Sequence, residues 1–244
     1  KNKVGAALIY PMVMMVVGVI VVAVLMTFVV PRVTQLIKGR GQDLPLPTKV
    51  LIASSEFLVS YWLLVLIGIL LLSIGFNLFL NSDKGGLAWD RFKLRLPVFG
   101  ILFKKVALSR FARTFSTLVK SGVPILGAME IVSDTAGNLV ISRIVDGARD
   151  SVRNGESLSD PFSKSTVFPP MVVKMMAIGE RSGALDALLE KIAEFYEEEV
   201  DVAVAGLLTV LEPLLIAFLG VVVGGIVISM YMPLFDLISK LSSH

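Results

Sequence analysis

Charged residues are almost absent from three stretches of the chain: residues 4 to 30, 57 to 80 and 207 to 231, the last interrupted only by Glu212. Each meets the length of about 20 residues that a helix needs to cross a hydrocarbon layer. The pattern predicts three transmembrane helices, the first over 1 to 30, the second over 57 to 80 and the third over 207 to 232.

Between the second and third runs the pattern changes. Leu108, Phe111, Ala112, Phe115, Leu118 and Val119 recur at steps of three and four, the stripe of an amphipathic helix. Ser121-Gly122 ends this helix, and Pro124 suits the first position of the next. Ile125, Ala128, Met129 and Val132 repeat the stripe, as do Ile141, Ile144, Val145, Ala148 and Val152, which stop at Asn154-Gly155. Ser157, Asp160 and Pro161 open a short element, Pro169-Pro170 opens another, and Gly183 punctuates before a final helix that carries Leu185, Leu188, Leu189, Ile192, Phe195 and Tyr196 on one face. No breaker separates that helix from the third apolar run, so one rod is expected to pass from the bundle into the bilayer. No strand alternation is sustained. The expected fold class is all-α: three membrane helices and one cytoplasmic antiparallel helical bundle over 81 to 206.

Composition supports the membrane reading, since 55% of the 244 residues are hydrophobic and the mean hydropathy is strongly positive. The first run follows Lys1 and Lys3 but is too long for a secretory h-region and ends in Pro31-Arg32, so it reads as a retained span. The chain starts at Lys1 rather than Met, which leads us to expect further sequence upstream. Orientation follows from charge. Residues 81 to 120 hold nine Lys/Arg against Asp83 and Asp90, and positive charge beside a span marks the cytoplasmic side. Lys1 is then inside, the 31 to 56 loop outside and the 233 to 244 tail outside, although the loop also carries Arg32, Lys38, Arg40 and Lys49. The Gly- and Pro-rich "GRGQDLPLPTK" within that loop reads as a connector.

Several chemistries are excluded. With no cysteine and one histidine, His244, the usual Ser-His and Cys-His nucleophile pairs cannot be built. No phosphate-binding Gly-x-x-x-x-Gly-Lys loop and no dinucleotide glycine motif is present, so the chain is not itself a motor ATPase. We expect no enzymatic activity and no cofactor. The basic segment is explained by topology without nucleic acid. The acidic run Glu197-Glu198-Glu199 with Asp201 reads first as a solvated helix face; it could also form a docking surface or hold a divalent cation on oxygen ligands. Residues 180 to 201 hold eight acidic groups, so this helix could also lie against the basic 104 to 120 segment.

Glu212 and Pro213 are the oddity of the third run. If the membrane helix begins near Val202, Glu212 lies about 15 Å in, close to the midplane, where a carboxylate is costly and functional. If the hydrocarbon begins near Pro213, Glu212 stands at the cytoplasmic boundary. Gly220, Gly224 and Gly225 would let a partner helix approach closely. One alternative class is a small transporter or channel subunit in which Glu212 and Asn77 line a polar path; ion flux in proteoliposomes discriminates it.

Taken together the motifs resemble the type II secretion protein F and type IV pilus platform family over essentially the whole chain. The resemblance is carried by "KVGAALIYPMVM" with Tyr10 and Pro11, by "RFARTFSTLVKSGVPILGAMEIV" with Gly122 and Pro124, and by "GESLSDPF" with Gly155. It continues in "MAIGERSGALDALLEKIAEFYEEEVD" with Gly179, Glu180, Ser182, Gly183 and Leu185, and in "LEPLLIAFLGVVVGGIVISMYMPLF" with Glu212-Pro213 and Met232-Pro233. That family carries two related cytoplasmic modules, of which this chain has the second. The resemblance implies a non-enzymatic platform in the bacterial inner membrane. Its implied partners are a hexameric assembly ATPase, pilin or pseudopilin subunits, other inner-membrane assembly proteins and further copies of itself.

Overall fold

The computed structural model describes residues 3 to 32, 46 to 97 and 99 to 241. Every regular element among them is helical. The chain divides into two compact units, one of Lys1–Gly75 with Gly206–His244 and one of Phe76–Ala205. Half of the expected outer loop, residues 33 to 45, and the end of the expected tail, 242 to 244, lie outside the described residues.

The first unit holds α1 (Lys3–Val24), whose last turns widen into a π-helical segment, Leu25–Val29, and most of α2 (Leu46–Leu80). It also holds the C-terminal part of α9 (Leu185–Leu241). Among the described residues three segments are long and apolar enough to cross a membrane: Ile9–Arg32, Val59–Leu80 and a stretch within Leu185–Met232. Their side chains are mostly exposed, as lipid-facing helices require. Lipid tails are as apolar as leucine, so burying leucine against another helix gains little there. The buried apolar residues are correspondingly few: Val30, Leu51, Ile52 and Ile226, with Val22, Met26 and Val222 against them.

Two helices run beyond the apolar spans read from the sequence. Helix α2 begins at Leu46 rather than at residue 57, because Pro47 falls in the first turn, where its missing N–H would have had no helical partner. Non-helical angles at Tyr61 (φ −115°, ψ 15°) then kink it just inside the apolar run. Helix α9 does not stop at Met232-Pro233 but continues to Leu241.

The second unit packs α3 (Asp83–Arg95), α4 (Phe99–Lys120), α5 (Ile125–Thr135), α6 (Leu139–Arg153), α7 (Ser159–Ser163), α8 (Pro170–Ser182) and the first turns of α9. The stripe read from α4 points inward: Leu108, Phe111, Ala112 and Phe115 are buried, and Leu118 and Val119 pack at the edge. Phe111 is the hub of the core, with Phe115, Phe162 and Phe168 rings at 5.7, 5.5 and 5.1 Å. Met129 and Val132 from α5, Ile141 and Val145 from α6, Val172 and Met176 from α8 and Leu189 and Ile192 from α9 close around them. Pro124 caps α5 rather than entering it.

Helix α3 lies in a stretch where only charge stood out. Gly85-Gly86 in its first turns lowers intrinsic helix propensity by about 1 kcal/mol per glycine. The absent side chains make room: a Cβ on Gly85 would strike the Phe79 carbonyl oxygen, and one on Gly86 would lie 2.7 Å from the Leu80 carbonyl oxygen and 2.9 Å from Leu139 Cδ1. Asp90 of α3 then accepts a hydrogen bond from the Leu139 N–H at 2.7 Å, and Asn138 Oδ1 accepts from Val140 N–H at 2.9 Å, so α3 caps α6 together with α6's own N-cap.

Candidate functional site

The two oddities of the membrane helices meet. Tyr10 Oη donates to Glu212 Oε1 at 3.3 Å, a long hydrogen bond, between α1 and α9. Each partner sits beside a proline, Pro11 or Pro213, so both helices lack one backbone N–H at this level. Further along, α1 and α9 approach so closely at Gly18 that a Cβ there would strike the Leu219 methyls. The pairings 10 with 212 and 18 with 219 advance together, so α1 and α9 run parallel. Helix α2 is tied to them in the opposite sense, with Thr48 Oγ1 donating to the Ser229 carbonyl at 2.6 Å and Ser55 Oγ to the Met26 carbonyl at 2.5 Å. Hydroxyls that bond across helices are the polar glue of membrane bundles, worth about 0.6 to 2 kcal/mol each.

Gly220, Gly224 and Gly225 do not share this contact. A Cβ at any of them would meet nothing within 4 Å, and the same holds for Gly68 and Gly75 of α2, whereas Gly18 stands against the Leu219 side chain of α9. Sequence reading passed over Gly18 because a single glycine in an apolar run is ordinary.

In the second unit, Gly179, Glu180, Ser182, Gly183 and Leu185 each have a local task. A Cβ on Gly179 would lie 2.9 Å from Leu185 Cα, so its bareness lets α9 begin directly against α8. Glu180 reaches the neighbouring loop, accepting from the Leu158 N–H at 2.7 Å and from Ser157 Oγ at 2.6 Å, which caps the start of α7 with a carboxylate. Ser182 Oγ bonds back to the Ile178 carbonyl at 2.8 Å. Gly183 closes α8 in the left-handed region (φ 70°), where any Cβ is strained, and the Ala184 N–H returns to the Gly179 carbonyl at 3.0 Å. Leu185 is buried in the core. Gly122 (φ 80°) and Gly155 (φ 86°) occupy the turns after α4 and α6.

The acidic and basic segments face each other as an ion-pair seam between α4 and α9. Arg113 donates Nε and Nη2 to the two Glu197 oxygens, both at 2.7 Å; Lys105 meets Glu199 at 2.5 Å and Lys120 meets Glu190 at 3.2 Å. The Glu197 carboxylate holds Arg113 above its ordinary pKa, against the opposing effect of burial. On the outer side of α9, Lys191 bonds Glu194 at 2.8 Å, which raises the lysine and lowers the carboxylate. Two members of the acidic run, Glu197 and Glu199, are thus engaged by cations of α4, while Glu198 is exposed. The Arg113 and Glu197 side chains are 40% and 45% exposed, so screening discounts the pair. A double-mutant cycle of Arg113→Ala and Glu197→Ala is expected to give a coupling of about 0.2 to 1 kcal/mol that fades with added salt.

Comparison with known proteins is decisive on family. The family model described as "Type II secretion system (T2SS), protein F" matches residues 111 to 233.

The chain belongs to the type II secretion system protein F family.

It is 44% identical over 243 residues to "Type IV pilus assembly protein PilC" of Thermus thermophilus, covering 99% of this chain and 60% of that protein. It is 41% identical over 238 residues to the PilC protein of Pseudomonas aeruginosa, covering 97% of this chain and 64% of the relative. To "Type II secretion system protein F" of the same bacterium it is 35% identical over 237 residues, covering 97% and 58%. The chain thus spans about three fifths of the length of these relatives. As a family member with three apolar helices able to span a membrane, it is a multi-pass protein of the bacterial inner membrane, and its relatives serve pilus assembly and type II secretion.

Proposed function

We propose that this chain is the membrane-and-bundle part of an inner-membrane platform that couples a cytoplasmic hexameric assembly ATPase to the insertion of pilin or pseudopilin subunits. The platform role follows from the family and from the names of its relatives. The coupling is our own step, and one observation supports it: α9 runs from Leu185, in the bundle, to Leu241 as a single helix. A displacement of the bundle by the ATPase would be carried along that rod. The bundle is the cytoplasmic part, residues 81 to 206, and the helices over 1 to 30, 57 to 80 and 207 to 232 span the membrane. Other inner-membrane assembly proteins and further copies of the chain complete the machine, with open Gly220, Gly224 and Gly225 offered to a neighbouring helix. The acidic run, with Glu198 exposed and Asp201 half-buried beside it, is a candidate docking surface for such a partner.

The direct test is depletion in the native cell, counting surface filaments and assaying secreted proteins while ATPase and pilin levels are held constant. Loss of filaments assigns the chain to a pilus machine, and loss of secretion with filaments retained assigns it to type II secretion. No change in either would refute the platform reading and return the small-transporter alternative to the test of ion flux.

A second reading concerns Glu212. Tyr10 stands near the start of its own apolar run, and a lateral contact between parallel helices puts Glu212 at the same level, which favours the cytoplasmic boundary over the midplane. There the carboxylate would be placed to meet a cationic group of an incoming subunit. Glu212→Gln keeps the shape and the Tyr10 acceptor while removing the charge; we expect lower filament or secretion output at unchanged chain abundance. Wild-type output from this variant would leave Glu212 as a structural partner of Tyr10 alone.

A further inference from the structure

We propose that α3, with the first turn of α4, is an interfacial helix that seats on anionic phospholipid headgroups at the membrane face where α2 ends. Only Asn81 and Ser82 separate the last residue of α2, Leu80, from Asp83. Three residue steps span at most about 11 Å, close to the Debye length of about 8 to 10 Å over which a charged surface acts. Helix α3 therefore starts within reach of that surface whatever its direction.

The direction is fixed locally. Gly85 and Gly86 press against the Phe79 and Leu80 carbonyls, and the Phe76 ring meets Trp89 edge-on at 5.1 Å. On the same side, Asp90 is occupied with the Leu139 N–H and with Lys93. One side of α3 is thus committed to the end of α2 and to α6.

The other side has no such commitment. Lys84, Ala88, Arg91, Phe92 and Arg95 recur at helical spacing and are all exposed. Among the described residues none of these cations pairs with a carboxylate, and the face itself contains no acid. Phe92 is 52% exposed although it stacks on Trp89 at 5.7 Å, and Phe99 and Ile101 at the start of α4 are 43% and 62% exposed. Phe92 thus stands exposed within a face of single-sign charge, and Phe99 and Ile101 follow it within nine residues of chain. Apolar groups to enter the acyl boundary, aromatics at headgroup level and cations for phosphate are what an interfacial helix needs. A second copy meeting this face with the same face would bring like charge to like charge. A protein partner would have to be acidic and compete with a bilayer already within reach.

The absence of cysteine makes the test clean, because a spin label at Phe92→Cys reports from a single thiol. The full chain is reconstituted into vesicles of phosphatidylcholine alone and of equal parts phosphatidylcholine and phosphatidylglycerol. Contact with lipid is read as collision with oxygen, which partitions into the bilayer, against a nickel chelate, which does not. In the mixed vesicles the label at 92 should favour oxygen, and a label at exposed Glu156→Cys should favour nickel. Arg91→Gln with Arg95→Gln should move the label at 92 toward water. It should also reduce local enrichment of headgroup-labelled phosphatidylglycerol by about fivefold per cation removed, with far-UV helicity unchanged.

Nickel access at 92 equal to that at 156 in both vesicle types would overturn the proposal. So would short label-to-label distances between copies, which would assign the face to self-association. Lipid contact that is equal without phosphatidylglycerol and indifferent to the Gln pair would remove the anionic-headgroup component.

Discussion

Phe111→Ala is expected to cost the helical bundle about 3 to 5 kcal/mol, the largest single effect on the chain's stability. The side chain is 1% exposed, and its three ring neighbours come from α4, from α7 and from the loop before α8. Phe162 and Phe168 also contact each other at 4.7 Å, so neither can swing into the vacated space without losing that contact. The void then persists, and the cost includes the cavity as well as the lost transfer of the ring from water. Urea unfolding of the detergent-solubilised chain, followed by far-UV helicity, measures it. Ile178→Ala, at a position 59% exposed, should stay within about 0.5 kcal/mol of wild type and serves as the control.

Gly179→Val should come second, at about 1 to 3 kcal/mol. The added Cβ would meet Leu185 Cα, a backbone atom that no rotamer change can remove, so the corner between α8 and α9 must open. Opening it also pulls on the Ala184 N–H, which caps the Gly179 carbonyl. Gly179→Ala should fall between wild type and Gly179→Val in the same unfolding measurement. Equal stability of all three would mean that the corner yields freely and that Gly179 does not set the start of α9.

How much of this was legible in the sequence depended on whether a signal was periodic or pairwise. The stripe from Leu108 to Val119 was periodic, and the structure buries its central members. The turns at Gly122, Gly155 and Gly183 were legible because glycine with positive φ punctuates helices strongly. Helix α3 was hidden because Gly85-Gly86 reads as a breaker, and only the approach of the Phe79 and Leu80 carbonyls explains two glycines in a first turn. The start of α2 was hidden in the same way by Pro47, a breaker everywhere except where it stands.

The site was half legible. Glu212 and Tyr10 each stood out alone, but nothing in a linear pattern said that they touch across 202 positions. The glycines at 220, 224 and 225 suggested close packing beside Glu212, whereas the close approach within the chain falls at Gly18. Opposite charge in residues 104 to 120 and 180 to 201 pointed to a seam. The pairing of Arg113 with Glu197 needed the register of α4 against α9, which only the packed core supplies.

If α9 transmits motion as one stiff element, a Gly-Gly insertion between Val200 and Asp201 interrupts the transmission. Two glycines weaken the helix by about 2 kcal/mol at a point outside the Phe111 core and outside the Tyr10 contact. Chain abundance and ATPase recruitment should stay normal, while filaments or secreted protein are lost in the native cell. Filament and secretion output at the wild-type level from a stably inserted chain would contradict transmission along α9.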